Sequence, residues 1–438
     1  MNQSTARESV PGAAWLMLAL GVLAQAAGTV LVSTPAFLIP LLHTERGLPL
    51  AAAGLIAAAP TFGMVLTLVA WGALADRIGE RWVITSGTAI AAVAALAASQ
   101  VAGSYIALGL WLVVAGMATA SANAASGRLV VGWFPKHRRG LAMGIRQMSQ
   151  PLGVAVAAVT IPGLASAGGI GAALMASVLA CGLLAVACAI FLRDPKRPAR
   201  STSAVTGHNP YVGSSLLWRI HAVSVLLVVP QFTLSTFGLV WLITDHGLTA
   251  TLAGLVIGVS QFVGALGRIG VGILSDRVGS RLRPLRWVSL AAVGAMGVLA
   301  LFDWLDSPVA VVVLVIATTI SVADNGLAFT AVAEIAGPRW SGRAMGAQNT
   351  GQFIGAAAVG PVAGALIGIA GYPVTFLVAA LSALVAVPLV PHPSAQTAAE
   401  SRHESGAHDA AGPVAGGMLP GVMPTGTPAD EPRSPERR

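Results

Sequence analysis

The feature that most constrains this chain is a series of long apolar runs. A membrane-crossing helix needs roughly 20 mostly apolar residues. The chain is 55% hydrophobic and 10% charged, whereas soluble domains are about 45–50% apolar and about 25% charged. The sequence therefore predicts an all-α membrane protein with about twelve transmembrane helices. These spans, numbered 1 to 12, are expected at about 14–41, 51–75, 82–101, 105–131, 141–165, 168–192, 218–243, 249–275, 285–302, 308–333, 343–369 and 372–391.

The two halves of the chain repeat each other. The segment Gly72–Arg81 (GALADRIGER) recurs in reduced form as Gly272–Arg281 (GILSDRVGSR), 200 residues later (272 − 72). The segment Gly140–Gly144 (GLAMG) matches Gly342–Gly346 (GRAMG), 202 residues later (342 − 140). Six spans return a chain to its starting side, so the repeat predicts two pseudo-symmetric six-helix bundles in parallel orientation.

Basic residues indicate the orientation and the domain limits. Lys and Arg concentrate in the loops after even-numbered spans, whereas the loops after odd-numbered spans hold only Arg46. Such a bias predicts that both termini are cytoplasmic, in the plasma (inner) membrane. It also accounts for the net charge of +8 without a nucleic-acid partner. The expected domains are a cytoplasmic N-terminus (1–13), bundles at 14–192 and 218–392, a cytoplasmic linker (193–217) and a disordered cytoplasmic tail (393–438).

These features together resemble the Major Facilitator Superfamily of secondary transporters over about 14–392. The family's loop signature between spans 2 and 3 is matched here, and a second copy lies between spans 8 and 9. The resemblance implies solute transport by alternating access, with each loop gating against the start of span 11 or span 5. A plainer alternative is that the loops only cap helices and satisfy the charge bias. The gating residues are Gly72, Asp76, Arg77, Gly79 and Arg81, and in the second copy Gly272, Asp276, Arg277, Gly279 and Arg281.

Two departures argue against a multidrug antiporter. Such members carry an Arg early in span 4, whereas Leu110–Gly116 contains no basic residue. Their Gly-Pro motif in span 5 is reduced to Gln150–Gly153 (QPLG).

Ionisable side chains inside spans are costly, by at least about 2.5–3.5 kcal/mol at the helix centre, and therefore need a partner or a function. Arg128 is expected to reach water or to pair with Asp76, and Glu334 to pair with Arg277 or Arg281. Arg268, deep in span 8, suits a planar carboxylate because its guanidinium donates two parallel hydrogen bonds. Its alternative role is an ion pair with Asp324. Asp324 is in turn either the proton-coupling residue or a permanent counter-ion.

Polar side chains recur at equivalent depths in the two halves. They predict a shared central cavity, although polar groups in a bundle also join helices to one another. The first half contributes Asn123 in span 4 and Arg146, Gln147 and Gln150 in span 5, and the second half contributes Asn325, Gln348, Asn349 and Gln352.

The sequence thus predicts a monomeric secondary transporter in a lipid bilayer. Its expected substrate is a small organic anion, a carboxylate bound by Arg268 with help from Arg146 and coupled to protons. Proton-coupled efflux of a drug or metabolite is the alternative, and a non-transporting receptor is the remote one. No enzyme activity, cofactor or metal site is predicted, because no nucleophile–base arrangement, phosphate-binding Gly loop or ligand spacing is evident.

Overall fold

The described part of the computed structural model comprises residues 11–135, 139–195, 209–212, 214–392 and 394. The side chains at positions 76, 139–141, 338 and 339 are outside this description. Almost all of the predicted N-terminal segment 1–13 and tail 393–438 therefore lies outside the described residues, as does much of the predicted linker.

The regular structure of these residues is helical. Ten helical stretches are long and apolar enough to cross a membrane. The helices run over Gly12–Phe37, Leu41–Glu45, Leu50–Ile78, Glu80–Gln100, Tyr105–Trp133, Arg139–Gln147, Ser149–Phe191, Leu216–Thr244, Ala250–Val278, Leu282–Trp304, Val309–Ser321 and Asp324–Leu389.

Two of the ten stretches each contain two spans. Ala142–Phe191 and Trp340–Leu389 are 50 residues long, whereas about 20 residues cross the hydrocarbon core. Each reverses at a glycine in the left-handed region, Gly169 with φ of 69° and Gly371 with φ of 80°. Only glycine adopts such a conformation without strain. The described residues therefore form twelve crossings, which confirms the predicted twelve-helix architecture.

Span 10 is interrupted, which the sequence analysis did not predict. Its first helix ends at Ser321, and the next helix begins at Asp324. No glycine or proline occurs at this point, so the break has no local sequence signal. The two residues between the helices are Val322 and Ala323, and the carbonyl group of Val322 is bonded by a side chain from span 8.

The two halves meet closely toward one membrane face, the predicted extracellular one. Span 2 packs on span 11, and span 5 packs on span 8. At the first contact, a Cβ atom added to Gly54 would overlap the carbonyl oxygen of Gly360, and one added to Gly360 would overlap that of Gly54. At the second, a Cβ atom on Gly254 would overlap the carbonyl oxygen of Ala158. Backbone therefore touches backbone where the halves meet.

Toward the opposite face, the buried clusters divide between the halves. One cluster, which includes Leu217, Leu285 and Ala331, belongs to the second half alone. Two others, around Met17 and Val130, belong to the first half alone. With the predicted orientation, the halves are joined at the extracellular side and packed separately at the cytoplasmic side. In the predicted orientation, this arrangement is inward-facing.

Candidate functional site

A cavity of about 100 Å³ lies between the halves. Spans from both bundles line it, and Arg268 is the one charged residue among its described lining residues. Two aromatic rings, Phe232 and Phe353, and the side chain of Met64 add apolar surface. The polar lining side chains are Gln25, Thr29, Ser33, Thr61, Thr119, Asn123, Gln150, Gln231, Ser235, Thr236, Gln261 and Arg268.

Arg268 is held by backbone rather than by an acid. Its Nε donates a hydrogen bond of 2.8 Å to the Val322 carbonyl at the interruption of span 10. Neither Nη1 nor Nη2 has a hydrogen-bond partner among the described residues. The predicted ion pair with Asp324 is not formed at contact distance in this part of the structure, although the two groups lie close enough to attract each other. The free edge of the guanidinium therefore remains available to a ligand in the cavity.

Asp324 is 2% exposed and begins the helix that follows the interruption. Its Oδ1 is buried without a hydrogen-bond partner among the described residues. An ionised carboxylate pays a large desolvation cost at such a position, and this cost disappears when the group takes up a proton. Burial therefore makes a negative charge on Asp324 costly.

Arg146 anchors cavity residues but does not itself line the cavity. Its Nε donates to Ser126 Oγ at 2.8 Å, and its Nη2 lies 3.0 Å and 3.3 Å from the carbonyl and side-chain oxygens of Asn123. Nη1 donates to Gln147 Oε1 at 3.2 Å. Ser126 continues the network to Gln25 Oε1 at 3.0 Å. The guanidinium thus fixes two lining amides, those of Asn123 and Gln25, from outside the cavity.

The second half has a corresponding chain of amides. Asn325 Nδ2 donates to Gln231 Oε1 at 3.1 Å, and Gln352 Nε2 donates to Asn325 Oδ1 at 2.8 Å. Gln231 lines the cavity, whereas Asn325 and Gln352 stand behind it. Both halves therefore present amides to the cavity and support them with further polar groups.

The structure separates the nine predicted substrate-binding residues into two groups. Arg268, Asn123 and Gln150 line the cavity. Outside its lining stand Arg146, Gln147, Asn325, Gln348, Asn349 and Gln352. Gln348 is 1% exposed, with its amide bonded to His221 and Ser224. Of the four repeat pairs, Asn123 and Gln150 line the cavity while their counterparts Asn325 and Gln352 do not, and both members of the other two pairs lie outside its lining.

Sequence reasoning missed the small hydroxyl residues of the cavity. Thr29 donates to the carbonyl of Gln25 at 2.9 Å, and Thr119 donates to that of Gly116 at 3.0 Å. Such bonds satisfy the hydroxyl within its own helix. Threonine and serine therefore occur in spans without any functional signal, and only the three-dimensional arrangement identifies those that face the cavity.

The second copy of the loop signature forms an ion-pair network. Arg281 Nη1 binds the Asp276 carboxylate, and its Nε lies 3.2 Å from Glu334 Oε1. Of the two partners predicted for Glu334, this is the one present, while Arg277 is exposed. Gly279 has a φ of 63°, which explains the glycine of the signature, whereas Gly272 lies within a helix.

The first copy is bonded differently. Arg128 Nη2 donates to the Gly72 carbonyl at 2.6 Å, while its predicted partner Asp76 has a side chain outside the description. The backbone N–H of Arg81 donates to Asp194 Oδ1 at 2.8 Å, a partner that sequence reasoning missed. Gly79 has a φ of 98°, and Arg77 is exposed. The contacts described for the first copy reach no residue of the second half, and those for the second copy reach none of the first, so gating between the halves stays a prediction.

Comparison with known proteins gives the family. The model of the Major Facilitator Superfamily matches residues 16–360. An uncharacterized MFS-type transporter of Mycobacterium tuberculosis (strain H37Rv) is 47% identical over 381 residues, which cover 87% of this chain and 85% of that protein. A counterpart from strain CDC 1551 is 46% identical over the same shares.

Solved structures share the fold. A bacterial homolog to the human lysosomal transporter Spinster, in an inward-facing and occupied conformation, is 17% identical with a TM-score of 0.71, and the match covers 86% of this chain and 96% of that one. A D-xylose–proton symporter is 14% identical with a TM-score of 0.71, covering 89% and 99%. The twelve crossings and the cavity between two halves are those of a transporter. Because the family model matches most of the chain, the chain belongs to the Major Facilitator Superfamily.

Proposed function

We propose that the protein carries a small organic anion across the membrane by alternating access, with a carboxylate as the group that it recognises and with proton movement coupled to transport. The observation that carries the proposal is the guanidinium of Arg268, which reaches the cavity with Nη1 and Nη2 unbonded to any described residue. A planar fork of this kind matches a carboxylate with two parallel hydrogen bonds.

The rest of the cavity suits a small, partly polar solute. The amides of Gln25, Asn123, Gln150, Gln231 and Gln261 both donate and accept hydrogen bonds. Arg146 acts in this proposal through Asn123 and Gln25 rather than by touching the solute. In the setting we propose, the protein works as a monomer in the plasma membrane, with both termini cytoplasmic and with the bundles 14–192 and 218–392 rocking about the cavity.

A ligand screen followed by a transport assay tests this function. Thermal unfolding of the purified protein would be measured with panels of small carboxylates, hydrophobic cations and neutral sugars, because a ligand that binds the native state raises the unfolding temperature. The best carboxylate would then be offered to proteoliposomes under a pH gradient. Stabilisation by carboxylates and gradient-driven accumulation are expected. Stabilisation by hydrophobic cations alone would instead favour efflux of drugs, and binding without any transport would favour a receptor.

Asp324→Asn should remove the coupling to protons while leaving the transporter folded. Asn has nearly the same size and remains neutral, so the buried group no longer exchanges a proton. With one proton carried per solute, a gradient of about one pH unit supports about tenfold accumulation, and the variant should accumulate none. Exchange of labelled for unlabelled solute across the membrane should persist, because it needs no net proton movement.

Asp306→Asn is the matched control for this variant. Asp306 is an exposed acid with a φ of 49°, a conformation that asparagine adopts readily. The control should keep gradient-driven accumulation. Full accumulation by Asp324→Asn would contradict the assignment of Asp324 as the proton carrier.

A further inference from the structure

The described end of the linker, Asn209–Val212, is docked on the second half through Tyr211. The Tyr211 ring centroid lies 5.2 Å from that of Trp218, 5.8 Å from that of His221 and 6.4 Å from that of Trp340. Trp218 and His221 belong to span 7, whereas Trp340 lies at the start of span 11, three residues after the reversal at Gly337. These four side chains, here termed the aromatic clasp, join the linker to two separate parts of the bundle.

A chain of hydrogen bonds runs from the clasp into span 11. Tyr211 Oη lies 2.9 Å from His221 Nε2, His221 Nδ1 is bonded to Gln348 Oε1, and Gln348 Nε2 donates to Ser224 Oγ. Because Gln348 Oε1 can only accept, His221 Nδ1 carries a proton, and Nε2 of the neutral ring accepts from Tyr211. Burial raises the pKa of Tyr211, so its hydroxyl keeps the proton that it donates. Neutral His221 therefore satisfies all of its partners.

A second proton on His221 would disturb this chain. Nε2 would become a donor and the Tyr211 hydroxyl would have to reverse, leaving its own proton without the acceptor it has now. Among the described residues, the charged group recorded against a clasp ring is Arg343, and Arg219 adjoins Trp218 in the chain. Arg219 bonds the carbonyls of Leu389 and Pro388, and the Arg343 guanidinium lies 5.0 Å from the Trp340 ring centre. No carboxylate among the described residues forms an ion pair with His221, so the added charge would lack compensation.

Gln348 lies near the start of span 11, the segment that gating is expected to move. It occupies the repeat position of Arg146, 202 residues later (348 − 146). Arg146 ties the start of span 5 to span 4, whereas Gln348 ties the start of span 11 to span 7. The family's first loop signature is expected to meet the same start of span 11. A group that holds or frees this segment thus acts on the part of the second half that gating requires to move.

We propose that His221 is a proton-responsive positioning residue: in its neutral form it fastens both the linker and the start of span 11 to span 7, and on protonation it releases them. This inference goes beyond the proposed function and is independent of the transported solute.

Hydrogen–deuterium exchange of the full-length protein in lipid nanodiscs tests the proposal without any substrate. Exchange of peptides covering 209–218 and 340–352 would be compared at about pH 7.5 and about pH 5.5 after correction for intrinsic rates, a range that spans the ordinary titration of histidine. Because protonation would leave a buried polar group unsatisfied, exchange should accelerate about tenfold at the lower pH.

Three variants separate this role from a merely structural one. His221→Gln stays neutral, so corrected exchange should be the same at both pH values. Tyr211→Phe keeps the ring and loses one hydrogen bond, and should raise exchange about threefold at the higher pH. His43→Gln, in the short helix Leu41–Glu45 at the opposite face, where His43 bonds the Leu48 carbonyl, should behave like the unmodified protein. Equal corrected exchange of the unmodified protein at both pH values, or an acid response that persists in His221→Gln, would overturn the proposal.

Discussion

Replacing Arg268 with Gln should weaken binding of the carboxylate substrate by about 10²–10³-fold, because loss of one partner of a buried, hydrogen-bonded charge pair costs about 2–5 kcal/mol. Arg268→Lys keeps the charge but presents a point donor in place of a planar fork, so a smaller loss of about tenfold is expected. Both effects would be measured as dissociation constants by titration calorimetry with the carboxylate found in the ligand screen.

Arg219→Gln is the matched control for these variants. Arg219 also donates from Nε to a backbone carbonyl, that of Leu389 at 3.0 Å, but it does not line the cavity. The control variant loses an arginine that bonds a backbone carbonyl but keeps the proposed anion site, so it separates these two effects. Undiminished carboxylate binding by a folded Arg268→Gln protein would remove Arg268 as the recognition group.

Replacing Gly54 with Val should prevent the halves from closing at the predicted extracellular side. The Cβ atom would overlap the Gly360 carbonyl oxygen, and because that atom belongs to a helix backbone, no rotamer change relieves the clash. Overpacking of this kind costs about 1–3 kcal/mol or more, which shifts a conformational equilibrium by about 10–100-fold. Transport should fall toward background, because the inward-facing arrangement is no longer reached.

Accessibility of the cavity from outside reports this shift directly. Ser235→Cys places a thiol on the cavity lining, and the native Cys181 and Cys188 are fully buried. In the Gly54→Val background, a membrane-impermeant maleimide added outside should label position 235 faster. Gly109→Val is the control, since a Cβ atom there meets nothing within 4 Å. Unchanged labelling and transport in Gly54→Val would show that this contact does not limit closure.

The fold can be predicted from the sequence because the hydrocarbon core of a bilayer permits few backbone structures. Backbone groups in hydrocarbon must bond within their own segment, so each apolar run becomes a helix. The tight reversal at Gly371 falls between the predicted spans 11 and 12, and the one at Gly169 falls one residue after the predicted start of span 6. The interruption of span 10 at Val322 carries no such signal. A side chain from another span, that of Arg268, bonds the carbonyl there, and only tertiary structure brings the two together.

The site was less predictable. Helical spacing shows which residues share one face of a helix, but it does not show which other helix or cavity that face contacts. Arg146 and Gln348 hold equivalent places in the two repeats. Arg146 is bonded to Asn123 of span 4, however, whereas Gln348 is bonded to His221 of span 7. The difference depends on a histidine near a span end, where sequence alone gives little reason to expect a role. Arg268 was identified because a deeply placed charge is rare in a span and demands an explanation.

The hydrogen bond between Arg268 and the Val322 carbonyl is relevant to the state of the transporter that has no solute bound. A buried cation facing an empty cavity is costly to keep, and the carbonyl dipole compensates part of that cost as a surrogate ligand supplied by the protein itself. An anion that binds Nη1 and Nη2 shares the guanidinium with this carbonyl, because Nε is the atom that bonds the interruption of span 10. The side chain that we propose recognises the solute is therefore also the one that bonds the interruption of span 10.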